Sequence, residues 1–116
     1  MQMPHNALND GFLVYGTDET IQSDKGKNIG ERFTKMGFLA FQEMSCREED
    51  YEMAQKINSS VLNLKVRTLF PPNLRKFNRS NLKVIIDGMK YDVIRTDSDS
   101  DKRYLFFYLQ EVGVFE

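Results

Sequence analysis

The side chains that most often do chemistry are scarce in this chain. It has one histidine, His5, and one cysteine, Cys46. A Cys–His nucleophile pair would need these two to meet, and His5 sits in a polar N-terminal stretch with no metal-ligand spacing. Cys46 begins a segment that reads as a helix, where a thiolate could be stabilised. Its simpler role is that of a small buried hydrophobe. One cysteine builds neither an internal disulfide nor a cysteine zinc cluster. Asp97-Ser98-Asp99-Ser100-Asp101 resembles the start of a calcium loop. The full loop needs glycine at its sixth position and glutamate at its twelfth. Lys102 and Tyr108 stand there, so an acidic turn is expected instead. Glu48, Glu49 and Asp50 suit the first turn of a helix, where the helix dipole favours negative charge. Gly26-Lys27-Asn28-Ile29-Gly30 lacks the Walker spacing of a phosphate loop. No catalytic site, cofactor or metal is expected.

One segment could bind nucleic acid. Arg75, Lys76 and Arg79 lie among Phe70 and Phe77. Basic residues neutralise phosphates, and aromatic rings stack on bases. A single-stranded nucleic-acid-binding small β-barrel is therefore the alternative function. The formal net charge of −1 does not favour it. The charge is uneven, however. Residues 53–86 hold seven basic side chains and no acidic one, and the rest holds nine basic and seventeen acidic. Segments of +7 and −8 could supply attracting faces between copies.

Around these residues the pattern reads as strands. Gly11–Tyr15 is a short strand, Gly16-Thr17-Asp18 a turn, and Glu19–Gln22 a second extended piece. Ser23–Lys35 is polar, carries Lys25, Lys27 and Arg32, and reads as a long loop. Met36–Met44 is apolar, aromatic and free of proline, hence a strand. Ser45 and Glu48 fit a capping box, which opens a helix over about 46–58. Glu52 and Lys56 form an i,i+4 pair on it. Val61–Leu69 alternates, with Leu62, Leu64 and Val66 facing a core. Pro71-Pro72 stops that strand, and 70–81 is a second long loop. Leu82–Ile86 and Lys90–Thr96 flank Asp87-Gly88, a hairpin signal. Arg103–Val112 is the last strand, apolar on both faces and so packed on both. The expected fold is mainly β: a small antiparallel, partly open β-barrel of five or six strands with one short helix. Residues 1–116 are expected to form a single domain, with 1–10 a flexible N-terminus. The polar N-terminus has no signal-peptide character, and no apolar run approaches the roughly 18 residues that span a bilayer. A soluble intracellular product without a membrane partner is expected.

Several strings, in this order, resemble a known family. They are Asp10-Gly11-Phe12-Leu13 with Tyr15-Gly16; Phe33-Thr34-Lys35-Met36-Gly37; Arg47-Glu48-Glu49-Asp50-Tyr51-Glu52-Met53-Ala54; Leu64-Lys65-Val66-Arg67-Thr68; Tyr91-Asp92-Val93; and Arg103-Tyr104-Leu105-Phe106-Phe107-Tyr108-Leu109. The chain resembles, over about Leu8–Val112, the phage head–tail joining proteins, also called head-closure or stopper proteins, of long-tailed phages and prophages. The resemblance implies a β-barrel subunit of a homo-oligomeric ring in the virion neck, assembled in the bacterial host cytoplasm. It implies a portal or adaptor ring above, a tail terminator or tail protein below, and packaged double-stranded DNA in the channel. On that basis Lys25, Lys27, Asn28, Ile29 and Arg32 are the expected channel or gating segment. Arg75, Lys76, Phe77 and Arg79 would meet DNA, a neighbouring subunit or the adaptor. Glu48, Glu49, Asp50, Asp97, Asp99 and Asp101 would make contacts between subunits or rings.

Overall fold

The structure, a computed structural model, describes residues 8–115. It is mainly β, with strands β1 (Gly11–Gln22), β2 (Asn28–Met44), β3 (Leu64–Leu69), β4 (Leu82–Ile86), β5 (Met89–Ser98) and β6 (Tyr104–Val114), and helix α1 (Glu48–Lys56). The strands pair antiparallel in the closed order β1-β2-β3-β6-β5-β4. Closure removes the free edges that a six-stranded open sheet would leave.

Alternation along each strand decides what enters the barrel. In β4, Leu82, Val84 and Ile86 are buried while Lys83 and Ile85 face outward. Leu13, Phe41, Val66, Val93, Leu105 and Phe107 join them in one core. β6 packs on both faces, as its composition predicts. Phe107 fills the barrel, and Tyr108 lies outside it, in a second cluster with Ala54 and Leu62. That outer cluster is where α1 sits.

Two differences from the sequence reading change the molecule's shape. The turn expected at Gly16–Asp18 is absent, and β1 runs unbroken to Gln22. The loop expected over 23–35 is largely strand: β2 begins at Asn28, and only a short turn separates it from β1. Glu19 pairs with Arg32 and Thr20 with Glu31, so these residues form the far half of a long hairpin. Neither face of this half is buried, so the sequence carries no hydrophobic alternation to announce a strand. At about 3.3 Å per residue, the 17-residue β2 alone spans roughly 56 Å. This accounts for the extents of 60 × 30 × 28 Å.

Gly16 lies one residue before this hairpin leaves the barrel wall, since Thr17 is the last β1 residue paired with β4. The ladder shifts register between Tyr15 and Gly16, with Met36 as the extra residue on β2. A Cβ on Gly16 would stand 2.1 Å from the Thr34 carbonyl oxygen. Only glycine lets the two backbones approach so closely.

Smaller corrections concern the termini of elements. Ser45 does not cap α1. Arg47 is its N-cap, and its backbone N–H donates to Asp50 Oδ2 at 2.9 Å. The cap therefore sits two residues later than the Ser-x-x-Glu pattern suggested, with Asp50 in the reciprocal position and also 3.3 Å from Lys65 Nζ. Glu52 and Lys56 form no ion pair among the described residues. Of the N-terminal ten residues, 1–7, including His5, lie outside the described residues. Asp10 is held in place: its N–H donates to the Phe41 carbonyl, and its carboxylate accepts from Glu43 N–H at 2.7 Å. Asp87 and Gly88 turn the β4–β5 hairpin with φ of 49° and 78°, as the Asp-Gly pair predicts.

Candidate functional site

The hairpin arm is the first candidate surface. Its root is fastened to the barrel. Lys90 bridges Asp18 at 2.8 Å, its ammonium lies 6.0 Å from the Phe33 ring, and Phe33 meets Phe115 edge to face at 5.5 Å. Beyond the root, Asp24 to Arg32 are all exposed. Lys25 and Lys27 stand on the tip turn, where Lys27 N–H donates to Ser23 Oγ. Asn28 accepts from Gly30 N–H at 3.0 Å, which stiffens the start of β2. Ile29 is 65% exposed, so an apolar side chain stands in water near the tip. Arg32 lies across from Glu19. The expected channel residues therefore share one projecting ribbon instead of a floppy loop.

The basic segment 70–81 is more ordered than its composition suggests. It contains two 3₁₀ turns, Pro72–Leu74 and Arg79–Asn81. Leu74 is fully buried and joins the barrel core, and Phe77 packs half-buried against the same core. Arg79 donates to the Leu74 carbonyl at 2.8 Å and to Thr96 Oγ1 at 2.9 Å, with its guanidinium 5.2 Å from the Phe70 ring. It therefore holds the segment down. Arg75 and Lys76 are exposed, with the Arg75 guanidinium 5.8 Å from the Phe70 ring.

The acidic residues divide in the same way. Glu48 and Glu49 are exposed on α1. Asp50 is an anchor, 3.3 Å from Lys65 Nζ, whose ammonium also lies 5.1 Å from the Tyr108 ring. Desolvation pushes the Asp50 pKa upward, but the hydrogen bond from Arg47 N–H and the Lys65 charge outweigh it and hold the carboxyl below its ordinary 3.8. Asp97 belongs to β5, not to the turn. Asp99 organises the turn, accepting from the N–H groups of Arg103 and Tyr104 at 2.8 and 3.0 Å. Asp101 is exposed. Cys46 is half-buried beside Tyr51, and the phenol's pKa is raised chiefly by that neighbour.

A surface that sequence reasoning missed lies on the barrel wall. Phe12 and Phe38 are 65% and 61% exposed, and their rings meet edge to face at 6.0 Å. Both sit in apolar strings that read as strand, and alternation within those strings was the available signal. Phe12 and Phe38 take the outward parity, opposite to buried Leu13 and half-buried Leu39. Among the described residues, no group of three histidine, cysteine or carboxylate side chains could hold a metal ion. Among them, no helix is long and apolar enough to cross a membrane.

No protein-family model matches the chain, and no curated protein matches it. Solved structures do. One is a chain in the virion of a native gene transfer agent particle, at 12% identity and a TM-score of 0.56, covering 90% of this chain and 96% of that one. Another is a protein of Shigella flexneri 2a solved in solution, at 11% identity and a TM-score of 0.63, covering 94% and 96%. At such identities the likeness concerns the backbone: this chain shares its fold with both, over nearly its whole length.

Proposed function

We propose that this chain is a structural protein of a phage-like particle, one subunit of a ring that closes the head and joins it to the tail. The observation that carries this reading is the fold shared with a gene transfer agent virion chain over 90% of this chain. The order of sequence strings that resembles head–tail joining proteins supports the same reading independently. The molecule's form suits the work: a closed barrel serves as a rigid body, and an exposed arm reaches away from it. In the ring, the arm tip with Lys25, Lys27, Asn28, Ile29 and Arg32 faces the DNA channel. Arg75 and Lys76 meet the neighbouring ring or DNA. Glu48, Glu49, Asp97 and Asp101 lie at contacts between subunits or rings, while Arg79, Phe77, Asp50 and Asp99 shape those surfaces from behind.

The test is to shorten the arm. Residues Ile21–Gly30 are replaced by Asn-Gly, which closes the hairpin between the paired Thr20 and Glu31. The core residues are untouched, so the variant should fold. Particles made with it should lose packaged DNA or fail to join tails. Normal infectious particles would reject the channel role of the arm.

A further inference from the structure

The connector reading requires two unlike faces on each subunit, and the structure carries such a pair. The first is the wall patch of Phe12 and Phe38. Lys35 lies beside it, its ammonium 5.4 Å from the Phe38 ring, and makes no ion pair among the described residues. The second is the outer face of α1. Glu48, Tyr51, Glu52 and Gln55 recur at i, i+3, i+4 and i+7, so they share one face, and all four are exposed. Among the described residues neither glutamate has a cationic partner. Beside this face lies a shallow depression of about 260 Å³, lined by Tyr51, Gln55 and Val61. Val61 is itself 61% exposed.

The strand order sets where these faces point. Phe12 is on β1. The cluster under α1 includes Tyr108 and Phe106 of β6, with Ile94 of β5 beside them. In the closed order β1-β2-β3-β6-β5-β4, β1 and β6 are three positions apart in either direction, as are β2, which carries Phe38, and β5. The patch and the helix therefore lie on opposite sides of the barrel. One face is an aromatic projection next to an unpaired cation. The other is a depression next to unpaired carboxylates.

We infer that a second copy of this chain covers the Phe12–Phe38 patch with its α1 face. Phe38 enters the depression beside Tyr51, and Lys35 meets Glu48 and Glu52. Matching apolar surface supplies the attraction, and the opposite charges set the register and reject a patch-to-patch dimer. Because the contact is heterologous and joins opposite sides, it repeats from copy to copy and closes when the rotation between copies permits. The inference rests on the connector reading and names the contact it needs.

Disulfide trapping tests it. In the full chain with Cys46→Ser, two variants are made, Phe38→Cys and Gln55→Cys. Oxidised together at high concentration, they should give the mixed dimer, and a chain carrying both should give a ladder of oligomers. Each variant alone should give far less dimer. Charge reversal supplies the second arm: Lys35→Glu or Glu52→Lys should weaken association at least several-fold, and the double reversal should restore it. Homodimers of Phe38→Cys alone, or no ladder from the double variant, would overturn the contact. Rings seen in the microscope without a Phe38–Gln55 link would overturn the contact and leave the connector reading standing. A ladder from a protein absent from particles would overturn the connector reading and leave the contact.

Discussion

Gly16 shows how much a single missing side chain decides. Just before the arm leaves the barrel, the Thr34 carbonyl oxygen occupies the space of a Cβ on Gly16, with Phe33 close behind at 2.9 Å. A backbone oxygen cannot swing aside as a side chain can. Gly16→Ala should therefore cost about 1–3 kcal/mol, the usual penalty of overpacking, and should loosen the arm root at Lys90 and Asp18. Thermal unfolding and proteolytic cutting near Asp18 would read the two effects. Leu74 is the opposite case, a side chain that fills space. It comes from a segment rich in charge, yet it is fully buried in the core. Leu74→Ala should destabilise by about 2–5 kcal/mol, measured by denaturant unfolding. Lys76→Ala, nearby and exposed, should change stability by less than about 0.5 kcal/mol.

At the scale of elements, α1 depends on one carboxylate. Asp50 accepts from the Arg47 amide and faces Lys65, which rises from the outer side of β3. Its pKa is lower in the folded protein than the ordinary 3.8. The stability it contributes is thus complete above that ordinary value and is lost as pH falls through the lower folded value. Solvent at the rim screens the pair, so Asp50→Asn should cost about 1 kcal/mol near neutral pH. The difference from the unmodified protein should shrink below about pH 4, as followed by helix circular dichroism against denaturant. The arm is the other element with its own behaviour. Its far half has ladder bonds but no buried face, and such segments open locally at low cost. Amides of 19–32 should exchange with solvent much faster than those of β4 and β6. Protection of the arm equal to that of the barrel would show that it packs on something in solution.

For the whole molecule, the connector reading gives stability to the barrel and assembly to the arm. The core cluster draws on all six strands and on Leu74 but takes nothing from beyond Met36 on the arm side. The arm-shortened protein should therefore melt within a few degrees of the full chain while failing in particle assembly. A fall comparable to that of Leu74→Ala would mean that the arm is part of the folding unit. The uneven charge also gains a place at this scale. Part of the basic excess is spent internally, since Lys65, Arg67 and Arg79 hold side chains or backbone within the subunit. Lys35, Glu48 and Glu52 make no ion pair among the described residues, which is what the inferred contact between copies uses.

The sequence alone determined a β-rich chain with one early helix, a two-residue Asp-Gly hairpin and a last strand buried on both sides. These follow from local rules: alternation along Leu82–Ile86, positive φ at Asp87 and Gly88, acidic residues before an amphipathic turn. It also indicated that no familiar catalytic arrangement is spelled out in the chain, because spacing alone disqualifies the calcium-like and phosphate-like strings. The tertiary structure decided what those rules cannot reach. A strand with two wet faces has no periodic signature, so the polar segment Asn28–Lys35 became a strand only through its partner β1. The turn expected at Gly16 gave way because cross-strand pairing on both sides outweighs a local preference for bending. Which exposed charges remain unpaired, and that the Phe12–Phe38 patch lies across the barrel from α1, depends on contacts between residues distant in sequence. The residues able to do chemistry are few in the sequence, and the exposed positions of Phe12, Phe38 and Ile29 were set by the fold.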